Sequence, residues 1–401
     1  MIEATTQDQG WEALVGPDPV TAALRREARG WLERMLHEEL AAVLGGQRHE
    51  RTPERRGYRH GTRPRTLTTS VGVVELAVPR GRVIQPDGRR GEWQSQLLPR
   101  YARRARAVDA ALAGFYCAGG NQRRLARALR SLLGDGPASR SAISRVVRTL
   151  RAAYDVWRTR PLAALGITYL YLDAVHLHVR VRKRVEPLPV QVAVGVRPDG
   201  QKVLLDFRLY AAESASAWGD FLAGQVARGL GVPALVIADG SKGLRRALSA
   251  VWPAVPVQRC AVHKLRNLAA HCPRRLYPAL KRDYHAIVYA ADEAAARRAW
   301  ARFVEHWGRD LPAVVQSLEE AGEELLTGYR FPPRQWKSLR STNIVERVLE
   351  EVRRRVKTQG ALPSADAVLV LCYGPIATGQ LPLRRIAGWQ QLKQVIVRQA
   401  A

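Results

Sequence analysis

Cysteine is scarce in this chain of 401 residues: four occur, at 117, 260, 272 and 372, without paired metal-ligand spacing. That argues against a disulfide scaffold and fits a reduced compartment. Long apolar runs are missing as well, none approaching the ~20 residues of a membrane span. The opening Met1-Ile-Glu-Ala-Thr-Thr-Gln-Asp8 has neither the basic leader nor the apolar core of a signal peptide, so a soluble, cytoplasmic protein with no membrane partner is expected. Internal repeats and low-complexity tracts are absent. So is a GxxxxGK[ST] loop, and ATP chemistry is therefore not implied. Acidic residues are in deficit: 36 Asp+Glu stand against 64 Lys+Arg, a formal charge of +28. Solubility needs far less. A partner dense in negative charge is expected, with nucleic acid the leading candidate. Lys is confined to positions 183, 202, 242, 264, 281, 337, 357 and 393, so the positive charge is almost all Arg. Genome base composition is enough to produce that bias, and the weight rests on the sign and size of the charge.

Taken in order, residues 20–45 place Leu24, Trp31, Leu32, Met35, Leu36, Leu40 and Leu44 on a helical stripe that Gly45-Gly46 ends. From Gln47 to Arg65 seven arginines surround Tyr58 and His60, which reads as a solvated linker or as an arm that orders on phosphates. The stretch Thr66 to Val78 alternates well enough for two strands joined near Gly72. Helices are expected over 105–116, 122–133 and 139–150, the last two joined by the turn Gly134-Asp-Gly-Pro137. A glycine-containing turn before a helix that opens with Arg140, Ser141 and Arg145 is the helix-turn-helix pattern, although ordinary helical hairpins share it.

Past Trp157 to Leu162 the texture becomes α/β. Strands are expected over 167–180, 190–196 and 203–210, with the hairpin turn Arg197-Pro-Asp-Gly200 between the last two. A helix follows over 214–229, and then the apolar run Ala234-Leu-Val-Ile-Ala238 delivers Asp239 into Gly240-Ser-Lys-Gly243, ahead of a helix at 244–251. That order begins a ribonuclease-H-like fold. An acid at such a strand tip serves a site or caps the next helix, and the local pattern does not distinguish them. Asp173, inside Leu170-Tyr-Leu-Asp-Ala-Val175, is costly to bury unless paired or metal-bound. His176 and His178 lie on the opposite face of that strand and read as surface or substrate-facing. Residues 271–334 are almost wholly helical, a helical insertion. The fold expected is therefore α/β, with a catalytic core over 161–270 and 336–401 interrupted by an all-helical insertion at 271–335. A helix and basic arm (1–65) and a mainly helical DNA-binding region (66–160) precede it.

A third acid, Glu346, opens the helix that follows Ser341-Thr-Asn343; a capping box with Asn343 as N-cap would also explain it. With these residues in view the chain resembles Mutator-type transposases of bacterial insertion sequences. The resemblance rests on Tyr171-Leu-Asp-Ala-Val-His176, Asp239-Gly-Ser-Lys-Gly-Leu244, Gln258-Arg-Cys-Ala-Val-His-Lys-Leu-Arg-Asn267, and Thr342-Asn-Ile-Val-Glu-Arg347 followed by Arg353-Arg-Arg-Val-Lys357 and Gly360. It spans about residues 55–370 and departs from the family at Ala261 and Leu362.

The resemblance implies that Asp173, Asp239 and Glu346 form a catalytic triad holding two Mg²⁺, or Mn²⁺ in its place, about 4 Å apart. Asp173 would bridge both ions, and Asp239 and Glu346 would each hold one. Cys260 and His263 would support that site; their spacing also suits zinc if His271 or Cys272 completed four ligands. Arg259, Lys264, Arg266, Arg347, Arg353, Arg354, Arg355 and Lys357, with Arg140, Ser141 and Arg145, would face DNA. The implied activity is binding of terminal inverted repeats, strand cleavage and strand transfer into target DNA, by a dimer or higher multimer on paired ends in the bacterial nucleoid. Two alternatives are a DNA-binding protein retired from catalysis and a structure-selective nuclease of the same fold.

Overall fold

The computed structural model describes residues 18–50, 52–84, 88–118, 140–356, 361–362, 364–379 and 383–400. The expected helix 122–133, the turn 134–137, Lys357 and Gly360 lie outside them, as do the side chains of Arg140 and Arg355. The chain divides into two units, residues 1–149 and 150–401. The sequence had placed the division near 160.

In the first unit, helix α1 (Pro19–Leu44) opens on Asp18, whose carboxylate accepts the Val20 N–H, and closes on Gly45 at φ +69°. Its buried line runs through Leu36, Leu40 and Leu44, which are fully covered. Leu24 and Trp31, expected on the same stripe, are 51% and 55% exposed. They sit one residue, about 100° of helix, off the line that includes Arg25, Ala28 and Leu32. Strands β1 (Gly57–Thr69), β2 (Gly72–Ile84) and β3 (Arg90–Glu92) form an antiparallel sheet, and helix α2 (Arg106–Cys117) follows. Leu67, Val74, Leu76 and Val78 of the sheet pack with Leu36 and Leu98.

The second half of the basic stretch is thus strand, not arm. A charged run can pair as β when its guanidinium groups find acceptors. Arg65 donates to the carbonyls of Leu98, Pro99 and Ala102, and Arg59 to that of His37. Helix α3 (Arg140–Thr159) carries the chain across residue 149.

The second unit is built on a five-stranded sheet: β4 (Tyr169–Val181), β5 (Arg184–Val196), β6 (Lys202–Leu209), β7 (Leu235–Ala238) and β8 (Val257–Arg259), in the order β6-β5-β4-β7-β8. β4 is central, antiparallel to β5 and parallel to β7. β5 starts six residues before the expected Val190. Pro187 and Pro189 speak against a strand, yet β6 pairs only from Val190 onward, so the proline side of β5 has no ladder to disrupt.

Alternation along β4 splits its side chains between two environments. Leu170 and Leu172 join Trp218, Phe221, Leu244 and Leu248 in a core with helices α4 (Ala215–Val226) and α5 (Lys242–Val251). Tyr169 and Tyr171 take the other face, donating to Gln335 Oε1 and to the Ser338 carbonyl around the short helix α10 (Trp336–Leu339). Between β8 and α10 come helices α6 (Ala261–Ala270), α7 (Tyr277–Val288), α8 (Glu293–Gly308) and α9 (Pro312–Ala321), packed around Leu268, Tyr284, Phe303, Trp307 and Leu318. This helical cluster begins at Ala261, ten residues before the helical stretch that the composition suggested, because α6 packs with the helices. Helices α11 (Asn343–Val356), α12 (Ala365–Ala377) and α13 (Leu392–Ala400) complete the unit. Among the described residues no helix is long and apolar enough to cross a membrane.

Candidate active site

The parallel ladder between β4 and β7 ends at the pair Leu172↔Ala238. Asp173 and Asp239 are therefore the next residues on neighbouring strands, which in a sheet lie about 4.8 Å apart. Asp173 falls on the tyrosine face of β4 and is 3% exposed. Its Oδ1 accepts the Ala174 N–H at 2.9 Å, and its Oδ2 accepts the Thr342 hydroxyl at 2.7 Å. Burial pushes its carboxyl up to about 6 against the charge of His263 and the Thr342 hydrogen bond, and the nearby Asp239 adds to the rise. Asp239 is half-buried and accepts the Ser241 N–H at 2.9 Å across Gly240, which takes φ +80°.

Helix α11 packs against β4 and brings Glu346 in its first turn. The helix begins one residue earlier than a cap at Asn343 requires: Thr342 holds the cap position, its carbonyl accepting the Val345 and Glu346 N–H groups at 2.7 and 3.2 Å. The hydroxyl of Thr342 turns instead to Asp173 and lies 3.5 Å from both Cys260 Sγ and His263 Nδ1. On the far side of the imidazole, His263 Nε2 is 3.7 Å from Glu346 Oε1, which also receives Arg266 at 2.9 Å.

A hydrogen bond with Cys260 holds the His263 imidazole up at about 9; burial opposes this, and the charges of Asp173, Cys260 and Asp239 add to it. Burial pushes the Cys260 thiol up, but hydrogen bonding and the charge of His263 bring it below the ordinary thiol range. The arrangement is an acidic cluster around one imidazolium. Among the described residues, no three His, Cys, Asp or Glu side chains are disposed to hold a metal ion, and Glu346 is turned to Arg266 and His263.

The family model of the Mutator transposases ("Transposase, Mutator family") matches residues 4–377. The chain belongs to that family. It is 35% identical over 348 residues to the transposase for insertion sequence element ISRM5 of Rhizobium meliloti, covering 87% of this chain and 85% of that one. The transposase for IS1081 of Mycobacterium tuberculosis is 32% identical over 343 residues, 86% of this chain and 81% of the relative. A solved structure titled "Drosophila P element transposase strand transfer complex" aligns over 79% of this chain and 87% of that one, with 11% identity and a TM-score of 0.30, too distant to assign a fold.

Several residues of this Mutator-family chain stand elsewhere than the sequence suggested. Arg259 and Lys264, expected to face DNA, are 2% and 1% exposed. Both bond Glu320 of α9, at 2.6 and 2.7 Å, so they are held within the protein and not presented to DNA. Arg266 does lie at the surface beside Glu346, and Arg347, Arg353 and Arg354 are exposed along α11. Ser141 and Arg145 are exposed on α3 in the other unit. His176 and His178 are exposed, as read from the strand period. Leu362, a departure from the family pattern, is fully buried and bridges the end of β4, donating to His178 and accepting from Arg180, both at 2.8 Å. Thr342 is the residue the sequence reading passed over: it lies inside a quoted motif, but a Thr before a helix signals only a cap.

Proposed function

We propose that this transposase cuts and rejoins DNA at the ends of its own insertion element by in-line displacement at phosphorus, with Asp173, Asp239 and Glu346 as its catalytic acids. One observation carries the reading. Two carboxylates stand side by side at the end of a parallel ladder, one of them buried, and a third enters on a separate helix beside the same imidazolium. The sheet order, with a central strand antiparallel to one neighbour and parallel to the other, supports a ribonuclease-H-like core.

The donor set fits a hard divalent cation. Carboxylate oxygens are what Mg²⁺ and Mn²⁺ select, and Asp173 is a buried acid for which a cation would offset the loss of water. Asp173 and Asp239 would hold the cation, with Glu346 joining them on release from Arg266. The chemistry a divalent ion supplies in such a site is stabilisation of charge at phosphorus and activation of a hydroxyl. The chain's own residues do the rest. Thr342 fixes Oδ2 of Asp173, His263 offsets part of the acids' charge, and Arg266 keeps Glu346 at the rim. The exposed arginines of α11 suit phosphate contacts along the incoming strand. Water and a 3′-hydroxyl are equivalent nucleophiles for such a displacement, so cleavage and strand transfer need one site.

The test is an assay on labelled element-end DNA with Mg²⁺, beside the Asp239→Ala variant. Wild-type cleavage and joining, lost in the variant while end binding persists, is the expected result. Binding without cleavage by the wild type would favour a retired DNA-binding protein. Cleavage of branched DNA without preference for element ends would favour a nuclease.

A further inference from the structure

We propose that Glu320, on the helical insertion, is a positioning residue for Asp239 and acts through Arg259. The proposal rests on the reading of Asp239 as a catalytic acid.

Arg259 is the last residue of β8, parallel to the strand that ends before Asp239. Its buried guanidinium points two ways. Nη2 meets both carboxylate oxygens of Glu320, at 2.6 and 2.5 Å, and Nη1 donates to the Gly240 carbonyl at 2.7 Å. That carbonyl and the Ser241 N–H belong to one planar peptide unit. The Ser241 N–H is the donor that Asp239 Oδ1 accepts at 2.9 Å. A chain of three bonds therefore runs from Glu320 to Arg259, to the 240–241 peptide plane, and to the Asp239 carboxylate.

The plane is one a glycine would let turn. Gly240 takes φ +80°, and a Cβ there would fall 1.3 Å from Arg259 Nη1, so the guanidinium fills the space over the turn. Holding its carbonyl holds the N–H on the opposite edge. Glu320 in turn is held by Lys264 Nζ at 2.7 Å and Arg245 at 3.3 Å, and Lys264 also donates to the Ser317 carbonyl at 2.6 Å. The neighbouring Gln258 makes a second tie to the insertion, donating to the Leu325 carbonyl at 3.0 Å. An apolar plug would fill this volume at less desolvation cost than an ion cluster. It would leave the Gly240 carbonyl without its donor.

The experiment uses the full chain and the isosteric Glu320→Gln variant, with three readouts: thermal stability, Mn²⁺ affinity by calorimetry, and hydrogen exchange of the Ser241 amide in metal-free protein. Glu320→Gln is expected to weaken Mn²⁺ binding about fivefold, roughly 1 kcal/mol, and to speed exchange at Ser241. Glu320→Asp, which keeps the charge, recovers part of both. Glu323→Gln, which removes an exposed partner of Arg297 on the same insertion, alters neither. Unchanged Mn²⁺ affinity and Ser241 exchange in folded Glu320→Gln, even with lowered stability, would overturn the proposal and leave Glu320 a structural residue. Wild-type protein that binds no Mn²⁺ would remove the metal reading of the acids. Ser241 exchange would then decide the positioning role alone, faster exchange supporting it and unaltered exchange ending it.

Discussion

Asp173 and Glu320 are two carboxylates of one unit, and the protein treats them in opposite ways. Asp173 is buried next to another acid, with a hydroxyl, a backbone amide and one shared imidazolium for company, and burial lifts its carboxyl to about 6. Glu320 also loses water, but hydrogen bonds from Arg259 and Lys264 and their charges outweigh that loss and bring it down to about 2. The difference separates a site from a strut. A carboxylate already met by a guanidinium and an ammonium group has no need of a further cation, whereas a buried acid that its neighbours leave short of positive charge is where one would be accommodated.

Four substitutions break or sharpen that contrast. The largest effect is expected for Asp239→Asn, which should lower strand cleavage at least about a thousandfold, roughly 4 kcal/mol of barrier, without lowering the melting temperature. A variant that cleaves normally would show that the unbalanced pair is not the reacting centre. Next, Arg259→Met takes from Glu320 its buried bidentate partner and leaves the Gly240 carbonyl without its donor. A loss of about 3 kcal/mol in urea unfolding is expected, and a loss well under 1 would mean that the ion cluster stabilises little. Third, Glu320→Gln should melt about 3 °C below wild type at neutral pH, a modest figure because the Glu320 side chain is 44% exposed. Its carboxyl titrates lower when folded than unfolded, so its contribution is present above the ordinary carboxylate range and fades as pH falls toward about 2. Melting curves of the two proteins should converge through that window; a constant gap would refute the charge origin. Smallest is Thr342→Val, which removes the hydroxyl from Asp173 and should cost about 1 kcal/mol, together with a several-fold loss of cleavage at unchanged end binding.

Much of this site was legible before any fold. The apolar run into Asp239-Gly240 announces a strand tip, and Asp173 stands out because an acid inside Leu-Tyr-Leu-Asp-Ala-Val needs a reason. The sites of Cys260 and His263 were readable as a pair through their motif. The true stripe of α1 was not, because Leu24 and Trp31 are apolar but one position off the covered face, and apolar character alone does not say which side of a helix a sheet takes. Nor was the burial of Arg259 and Lys264. Their partner lies more than fifty residues on, in a helix whose composition gives no sign of which way its glutamates point.

What the sequence by itself determined are the patterns that act over a few residues: the strand period that sorts Asp173 from His176, the acid–glycine tip at Asp239, and the helix that opens near Glu346. Only the tertiary structure decided which cations are spoken for. Arg259 and Arg266 read alike in the chain, yet one is locked onto Glu320 and the Gly240 carbonyl, while the other stands at the surface beside Glu346. Periodicity is set by backbone geometry and is local; the pairing of a charge depends on which distant side chain the packing of helices brings within 3 Å of it.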